Sequence, residues 1–247
     1  MLRYFIEVFY KGTHYSGFQI QQNANSIQAE IEQALSIFLK GEVSLTGSSR
    51  TDAGVHALSN FFHFDTILLN NFSTESIAKM IYNLNAILPA DIVIKKIYQV
   101  KEDAHCRFDA ISREYKYFIY QQKDPFLSER AFYYPYALDF QLLNAAAGAI
   151  YSYKDFTSFS KRNTQVNNFE CSILKSEWVF ENNLIVYNVK ANRFLRGMVK
   201  GLVGTMLKVG TGKTSLLEFC EIIEGMDCSK ADFSVPAHGL SLVSVTY

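Results

Sequence analysis

The run Gly47-Ser48-Ser49-Arg50-Thr51-Asp52-Ala53-Gly54-Val55-His56-Ala57 places a charged pair, two glycines and a set of small residues where no core can form. A carboxylate two positions from a guanidinium, flanked by residues that let the backbone come close, is how a loop offers one ionised Asp to a bulky anionic ligand. Asp52 is therefore the first candidate for chemistry and Arg50 its companion. An isolated R-x-D by itself reads as a surface ion pair, so the flanking sequence decides what this loop is for.

On the N-terminal side, residues 3–10 alternate and are rich in Tyr, Phe, Ile and Val, a strand pattern. Ser26 then precedes Ile27, Ile31, Leu35 and Phe38 at helical spacing, which predicts a capped helix over 26–39. Beyond the loop come a strand at 58–64, a helix from Ser73 to about Leu84 and a strand at 92–100 after Leu88-Pro89-Ala90-Asp91. A second set follows: a strand at 113–120, a helix at 139–151, strands at 172–180 and 184–191 in hairpin spacing, helices at 194–209 and 215–224, and a closing strand at 240–247. The fold class expected is α+β. Two similar lobes, 1–102 with the Asp52 loop and 103–247, share a mainly antiparallel sheet flanked by helices, and the cleft between them is where a substrate would sit. In the helix at 194–209, Gly197, Gly201 and Gly204 each cost roughly 1 kcal/mol against Ala, so a sheet, a helix or RNA comes close to this backbone.

At 247 residues and 49% hydrophobic, the chain can bury a substantial core. It has no apolar window of eighteen residues and no charged-then-apolar leader, so the expectation is a cytoplasmic protein without membrane contact. Cys106, Cys171, Cys220 and Cys228 include no C-x-x-C pair, which fits reduced thiols and no structural metal. His56, His63 and His105 match no ligand spacing and read as hydrogen-bonded structural histidines, His56 as one that could orient the loop. The net charge of zero argues against a nucleic-acid binder. Its distribution softens that, because no acid lies between Glu181 and Glu218, where Lys190, Arg193, Arg196, Lys200, Lys208 and Lys213 do, nor in 156–169, which holds Lys161 and Arg162. Gly210-Thr211-Gly212-Lys213-Thr214 mimics the end of a P-loop, but Leu207 stands where its first Gly would be and a helix, not a strand, precedes it.

The Asp52 run resembles the G-R-T-D-A-G-V-H-A signature of the tRNA pseudouridine synthase A family, with agreement over eight consecutive residues, 50–57. The resemblance recurs in order along nearly the whole chain. Tyr10-Lys11-Gly12-Thr13-His14-Tyr15-Ser16-Gly17-Phe18-Gln19 is similar to Y-D-G-x-x-[FY]-x-G-[FW]-Q, and Asn85-Ala86-Ile87-Leu88-Pro89-Ala90-Asp91-Ile92 to N-x-x-L-P-x-D-[IV]. His105-Cys106-Arg107-Phe108 with Arg113-Glu114-Tyr115-Lys116-Tyr117 resembles F-H-A-R-F followed by R-x-Y-x-Y. Asp155-Phe156-Thr157-Ser158-Phe159 resembles D-F-[ST]-x-F, and Asn192-Arg193-Phe194-Leu195-Arg196-Gly197-Met198-Val199-Lys200 resembles N-x-F-L-x-x-M-V-R.

The resemblance implies a pseudouridine synthase fold and an isomerase that needs no cofactor, converting uridine to pseudouridine at positions 38, 39 and 40 of the tRNA anticodon stem-loop, and a homodimer whose subunits share one tRNA. It makes Asp52 the nucleophile, attacking C1′ of the ribose or C6 of the base. Arg50 helps extrude the target nucleotide, and Tyr115 stacks on the target base. Lys200 falls where an Arg salt-bridged to this Asp is usual; Lys supplies a point charge without the bidentate fork. Arg50, His56, Arg113, Tyr115, Arg193 and Arg196 are the expected substrate contacts. Ser49 replaces the Gly more usual before the Arg. The competing reading is a noncatalytic RNA-binding protein that keeps the fold, favoured by Ser49 and Lys200 alone.

Overall fold

Alternating apolar and aromatic side chains make a strand of Leu2–Tyr10 (β1), and burial selects its neighbours: Ile6 and Val8 are fully buried. The computed structural model describes residues 1–69, 73–162 and 166–247. It is α+β, with five α-helices and nine mainly antiparallel strands among the described residues. The contacts fall into two units, Met1–Ile111 with Leu242–Tyr247, and Ser112–Ser241.

In the first unit β1 pairs antiparallel with β3 (His56–Thr66) and β4 (Ile92–Val100), Ile6 facing Phe62 on one side and Ile97 on the other. The two-residue β2 (Thr46–Gly47) adds to β3, and the chain's last strand, β9 (Leu240–Thr246), also borders β3. Tyr247, just past β9, packs its ring on Phe5 and Phe61 and donates its hydroxyl to the Cys106 carbonyl at 2.7 Å. Helix α1 (Ile27–Leu39) starts where Ser26 Oγ accepts from the Ala29 N–H, and it buries Ile27, Ile31 and Leu35 along one face. Helix α2 (Thr74–Ile87) starts the same way at Ser73. Its Asn85 side chain behaves as a piece of strand, donating to the Ile94 carbonyl at 3.0 Å and accepting from the Ile94 N–H at 2.8 Å.

In the second unit β5 (Ser112–Tyr120) pairs antiparallel with β8 (Leu184–Ala191), and β8 with β7 (Ile173–Glu181); the short β6 (Phe132–Tyr133) runs parallel to β5. The β7–β8 hairpin turns on Asn182 and Asn183 at φ 51° and 62°, the pair of left-handed residues that a two-residue loop needs in order to follow the strand twist. Helix α3 (Phe140–Ala149) is capped by Asp139. Its Asn144 repeats the device of Asn85: it donates to the Trp178 carbonyl at 3.1 Å and accepts from the Trp178 N–H at 2.9 Å. Helix α5 (Leu216–Glu224) opens on a capping box between Ser215 and Glu218.

The helix expected over 194–209 starts later: α4 spans Met198–Gly210, because Gly197 sits at φ 77° and stops the helical turn on its N-terminal side. Arg196 therefore lies ahead of the helix and Lys200 in its first turn. The close approach implied by the glycines also resolves. A Cβ at Gly204 would overlap the Asp232 carbonyl oxygen, and one at Gly201 would press on the Phe233 and Phe159 rings, so it is the protein's own chain that comes close here. The acid-free window at 156–169 includes 163–165, outside the described residues. No helix among the described residues is long and apolar enough to cross a membrane. Gly204→Ala is expected to lose about 1–3 kcal/mol through overpacking. Gly148→Ala, in α3 with nothing within 4 Å of the added methyl, is expected to gain up to about 1 kcal/mol. Urea midpoints of the two variants measure both.

Candidate active site

The loop carrying Asp52 spans the gap between β2 and β3 and is tied to β3 and β1 by its buried atoms. The Ser48 N–H donates to the Phe61 carbonyl at 2.7 Å, and the Asn60 amide donates to the Ser49 carbonyl and to Tyr10 Oη, both at 3.1 Å. Tyr10 Oη and Thr51 Oγ1 lie 2.7 Å apart, and the Phe18 N–H donates to the Thr51 carbonyl at 3.1 Å. Burial pushes the Tyr10 hydroxyl up to about 12, its bonds to Thr51 and Asn60 offsetting part of the effect, so it works in this frame as a neutral group at any physiological pH. His56 is 6% exposed and its Nδ1 accepts the Gly12 N–H at 3.0 Å.

Glycines make the packing around Asp52 possible. Gly17 has φ 108°, and a Cβ there would crowd the Thr51 carbonyl at 3.1 Å and the Ala53 nitrogen at 3.3 Å; a Cβ at Gly12 would overlap the Val55 carbonyl. The Asp52 carbonyl accepts the Val55 N–H at 3.1 Å, closing a tight turn through Gly54 at φ 77°. Within this buried frame Asp52 is half-buried and Arg50 exposed. A carboxylate held on a rigid turn can act as a nucleophile without first ordering the loop.

In the second unit Tyr115 lies on β5 opposite Val189, half-buried, its ring and that of Phe194 meeting in a T at 5.1 Å and 84°. Arg113, two residues back along the strand and opposite Ala191, donates to the Asn192 carbonyl at 3.1 Å. Asn192 Oδ1 accepts from the N–H groups of Ser172 and Arg193, each at 2.8 Å, which fixes the chain where β8 gives way to the 192–197 turn. Arg193 is half-buried and Arg196 exposed; the Arg196 carbonyl takes the Lys161 N–H at 2.9 Å. β5, the 192–197 turn after β8 and the start of α4 thus carry Arg113, Tyr115, Arg193, Arg196 and Lys200 in one unit, while Arg50, Asp52 and His56 belong to the other.

Residues 8–109 and 153–247 match the family model described as tRNA pseudouridine synthase, and the chain belongs to that family. More particularly, a protein of Parabacteroides distasonis named tRNA pseudouridine synthase A is 44% identical over 250 residues, covering all of this chain and 96% of the relative. Proteins of the same name from Azobacteroides pseudotrichonymphae and Staphylococcus carnosus are 45% identical over 247 residues and 36% over 246, each spanning at least 99% of this chain and at least 90% of their own length.

The remaining motifs are occupied by the protein itself. His63, His105 and Cys106 bring donor atoms within 4.8 Å of one another, a grouping that sequence spacing hides because β3 supplies one member and the 105–109 turn the other two. His105 Nδ1 accepts from the N–H groups of Arg107 and Phe108, at 3.1 and 3.4 Å, and His63 Nδ1 from that of Cys106 at 3.3 Å. Those bonds assign the ring proton to Nε2 on both histidines, and the Cys106 thiol donates to the Thr46 carbonyl at 3.1 Å. The Nδ1 lone pairs of both histidines are thus taken by backbone N–H groups. The P-loop mimic is likewise a helix end: the N–H groups of Thr211, Gly212 and Lys213 bond to the carbonyls of Leu207, Val209 and Lys208, leaving no cradle for a phosphate.

Burial, helped by the charges of Arg3 and His105, pushes His63 down from its ordinary 6.5 to about 4. Folded His63 is neutral where the unfolded chain already binds its proton, so the unfolded state holds more protons between pH 4 and 6.5. Stability from this group is complete above pH 6.5 and is lost as the pH falls towards 4. Urea midpoints measured across that window should rise with pH, and His63→Gln should flatten the rise.

Proposed function

We propose that this chain converts uridine to pseudouridine at positions 38, 39 and 40 of the tRNA anticodon stem-loop, with Asp52 as nucleophile. It is an isomerase of the tRNA pseudouridine synthase family. The observation that carries the assignment of Asp52 is the contrast within its loop: Ser49, Thr51 and His56 are buried and bonded into β1 and β3, while the Asp52 side chain stays accessible between them.

In the reaction the N1–C1′ bond of uridine breaks, the base rotates, C5 bonds to C1′, the C5 proton leaves and N1 takes up a proton. An ionised Asp52 attacks C1′ or C6 to start this sequence. A stacked uridine has to be flipped out first, at a cost of a few kcal/mol, and Arg50 and Tyr115 serve that step, Arg50 by displacing the nucleotide and Tyr115 by stacking on its base. Arg113, Arg193 and Arg196 hold phosphates, Lys200 supplies the positive charge that the family pattern assigns to an Arg, and His56 orients the Asp52 loop through Gly12. The same reading includes a homodimer that shares one tRNA.

Tritium release from tRNA labelled at C5 of uridine tests the proposal. Wild type should release label and Asp52→Ala should fall to background, with unfolding free energy within about 0.5 kcal/mol of wild type because the residue is outside the core. Label release undiminished in Asp52→Ala would sink the nucleophile assignment. Tight tRNA binding by wild type without release would establish the noncatalytic RNA binder instead. In the same assay Lys200→Arg should retain activity and Lys200→Met should lose most of it.

A further inference from the structure

The first unit contains a cavity of about 260 Å³ whose walls include Phe18, Gly47, Arg50, His105, Arg107 and Phe108, and no carboxylate among the described residues lines it. Its floor is rigid: the Phe18 ring stacks on Phe62 at 4.7 Å, and a Cβ at Gly47 would overlap that ring. Its rim is more unusual. Phe108 is 75% exposed, yet it sits on a turn that is bonded throughout. The His105 N–H donates to Asp109 Oδ2 at 2.7 Å, the Asp109 N–H to the His105 carbonyl at 3.0 Å, and the N–H groups of Arg107 and Phe108 to His105 Nδ1. The His105 ring supports the Phe108 ring at 4.3 Å and 37°, and the Arg107 guanidinium lies 5.7 Å from its centroid.

A large apolar ring held in water by a rigid turn, backed by one aromatic ring and beside a guanidinium, has the composition of a base-stacking platform. Two arginines without an acid in the lining favour a phosphate beside the base. The volume is below the roughly 300–1,000 Å³ of a cleft that engulfs a whole small molecule, so the cavity fits part of a longer strand better than a free cofactor. We propose that His105, Arg107 and Phe108 form a second nucleotide site, adjoining through Arg50 the one that takes the target uridine. In it an unpaired nucleotide of the RNA substrate stacks its base on Phe108 and sets its phosphate on Arg107. Phe108 is thereby a positioning residue that fixes which part of the strand is presented. The inference rests on the reading of the chain as an RNA-modifying enzyme.

The test is a binding scan, independent of turnover. Fluorescence anisotropy would compare wild type, Phe108→Ala, Phe108→Tyr and Arg107→Met on an anticodon stem-loop RNA and on a series in which each nucleotide in turn is abasic. Phe108→Ala should weaken binding roughly tenfold with unchanged thermal stability, and Phe108→Tyr should restore it. One abasic position should cost wild type a comparable factor and cost Phe108→Ala nothing. In steady-state kinetics the loss should fall on KM rather than kcat. Identical abasic profiles for wild type and Phe108→Ala, or wild-type affinity in Phe108→Ala, would overturn the proposal. Uridine 5′-monophosphate or inorganic phosphate that competes with the RNA in wild type and fails to bind Phe108→Ala would overturn it in favour of a free-anion site. Normal binding scans with no tritium release would refute the isomerase reading while leaving the second site standing.

Discussion

The loop that carries Asp52 depends on one buried hydrogen-bond frame, in which Asn60 of β3 and Tyr10 of β1 grip Ser49 and Thr51. Residues 48–55 have almost no apolar side chains to bury, so packing alone cannot set their shape. A buried polar network can, because its bonded members are costly to leave unpaired. The frame also depends on the pairing of β1 with β3: Asn60 lies opposite Val8 and reaches the hydroxyl of Tyr10, two residues on, and a slip of one residue would turn Asn60 to the opposite face. The glycines at 12 and 17 complete it by letting the preceding segment lie directly on the loop backbone.

Much of this was legible in the sequence. Ser26, Ser73, Asp139 and Ser215 each announce a helix and each accepts the expected backbone N–H, because a cap is a local interaction. Strands β1, β4, β5 and β8 follow their alternation to within a residue or two. The true start of α4 was not legible, because it depends on Gly197 adopting a left-handed φ with the Lys161 side chain packed where a Cβ would go, a contact between residues 36 positions apart in the chain. Strands β2 and β6 have two residues each and carry no period. The candidate nucleophile stood out because eight adjacent residues formed one motif. The Phe108 platform did not, since exposure of an aromatic is a property of the fold.

The electrostatics teach the same distinction. The segment between Glu181 and Glu218 is free of acids in sequence, but Lys208 meets Asp232 at 3.1 Å, and the Asp232 carboxyl sits below its ordinary range even though burial works against that, because Ser234 and Lys208 stabilise its anion. A basic run can thus be partly neutralised by a distant acid, and what remains for an anionic partner is decided by the fold.

Asn85 and Asn144 do more than attach a helix to a strand. Among the described residues β4 pairs with β1 alone and β7 with β8 alone, so each has a rim of backbone groups that could template a foreign strand. By occupying the N–H and C=O of Ile94 and of Trp178, each amide puts a side chain where an invading chain would have to make its next pair. The same geometry that seats the helices therefore guards the protein against joining other copies edge to edge, a safeguard that matters most while it is newly made and crowded.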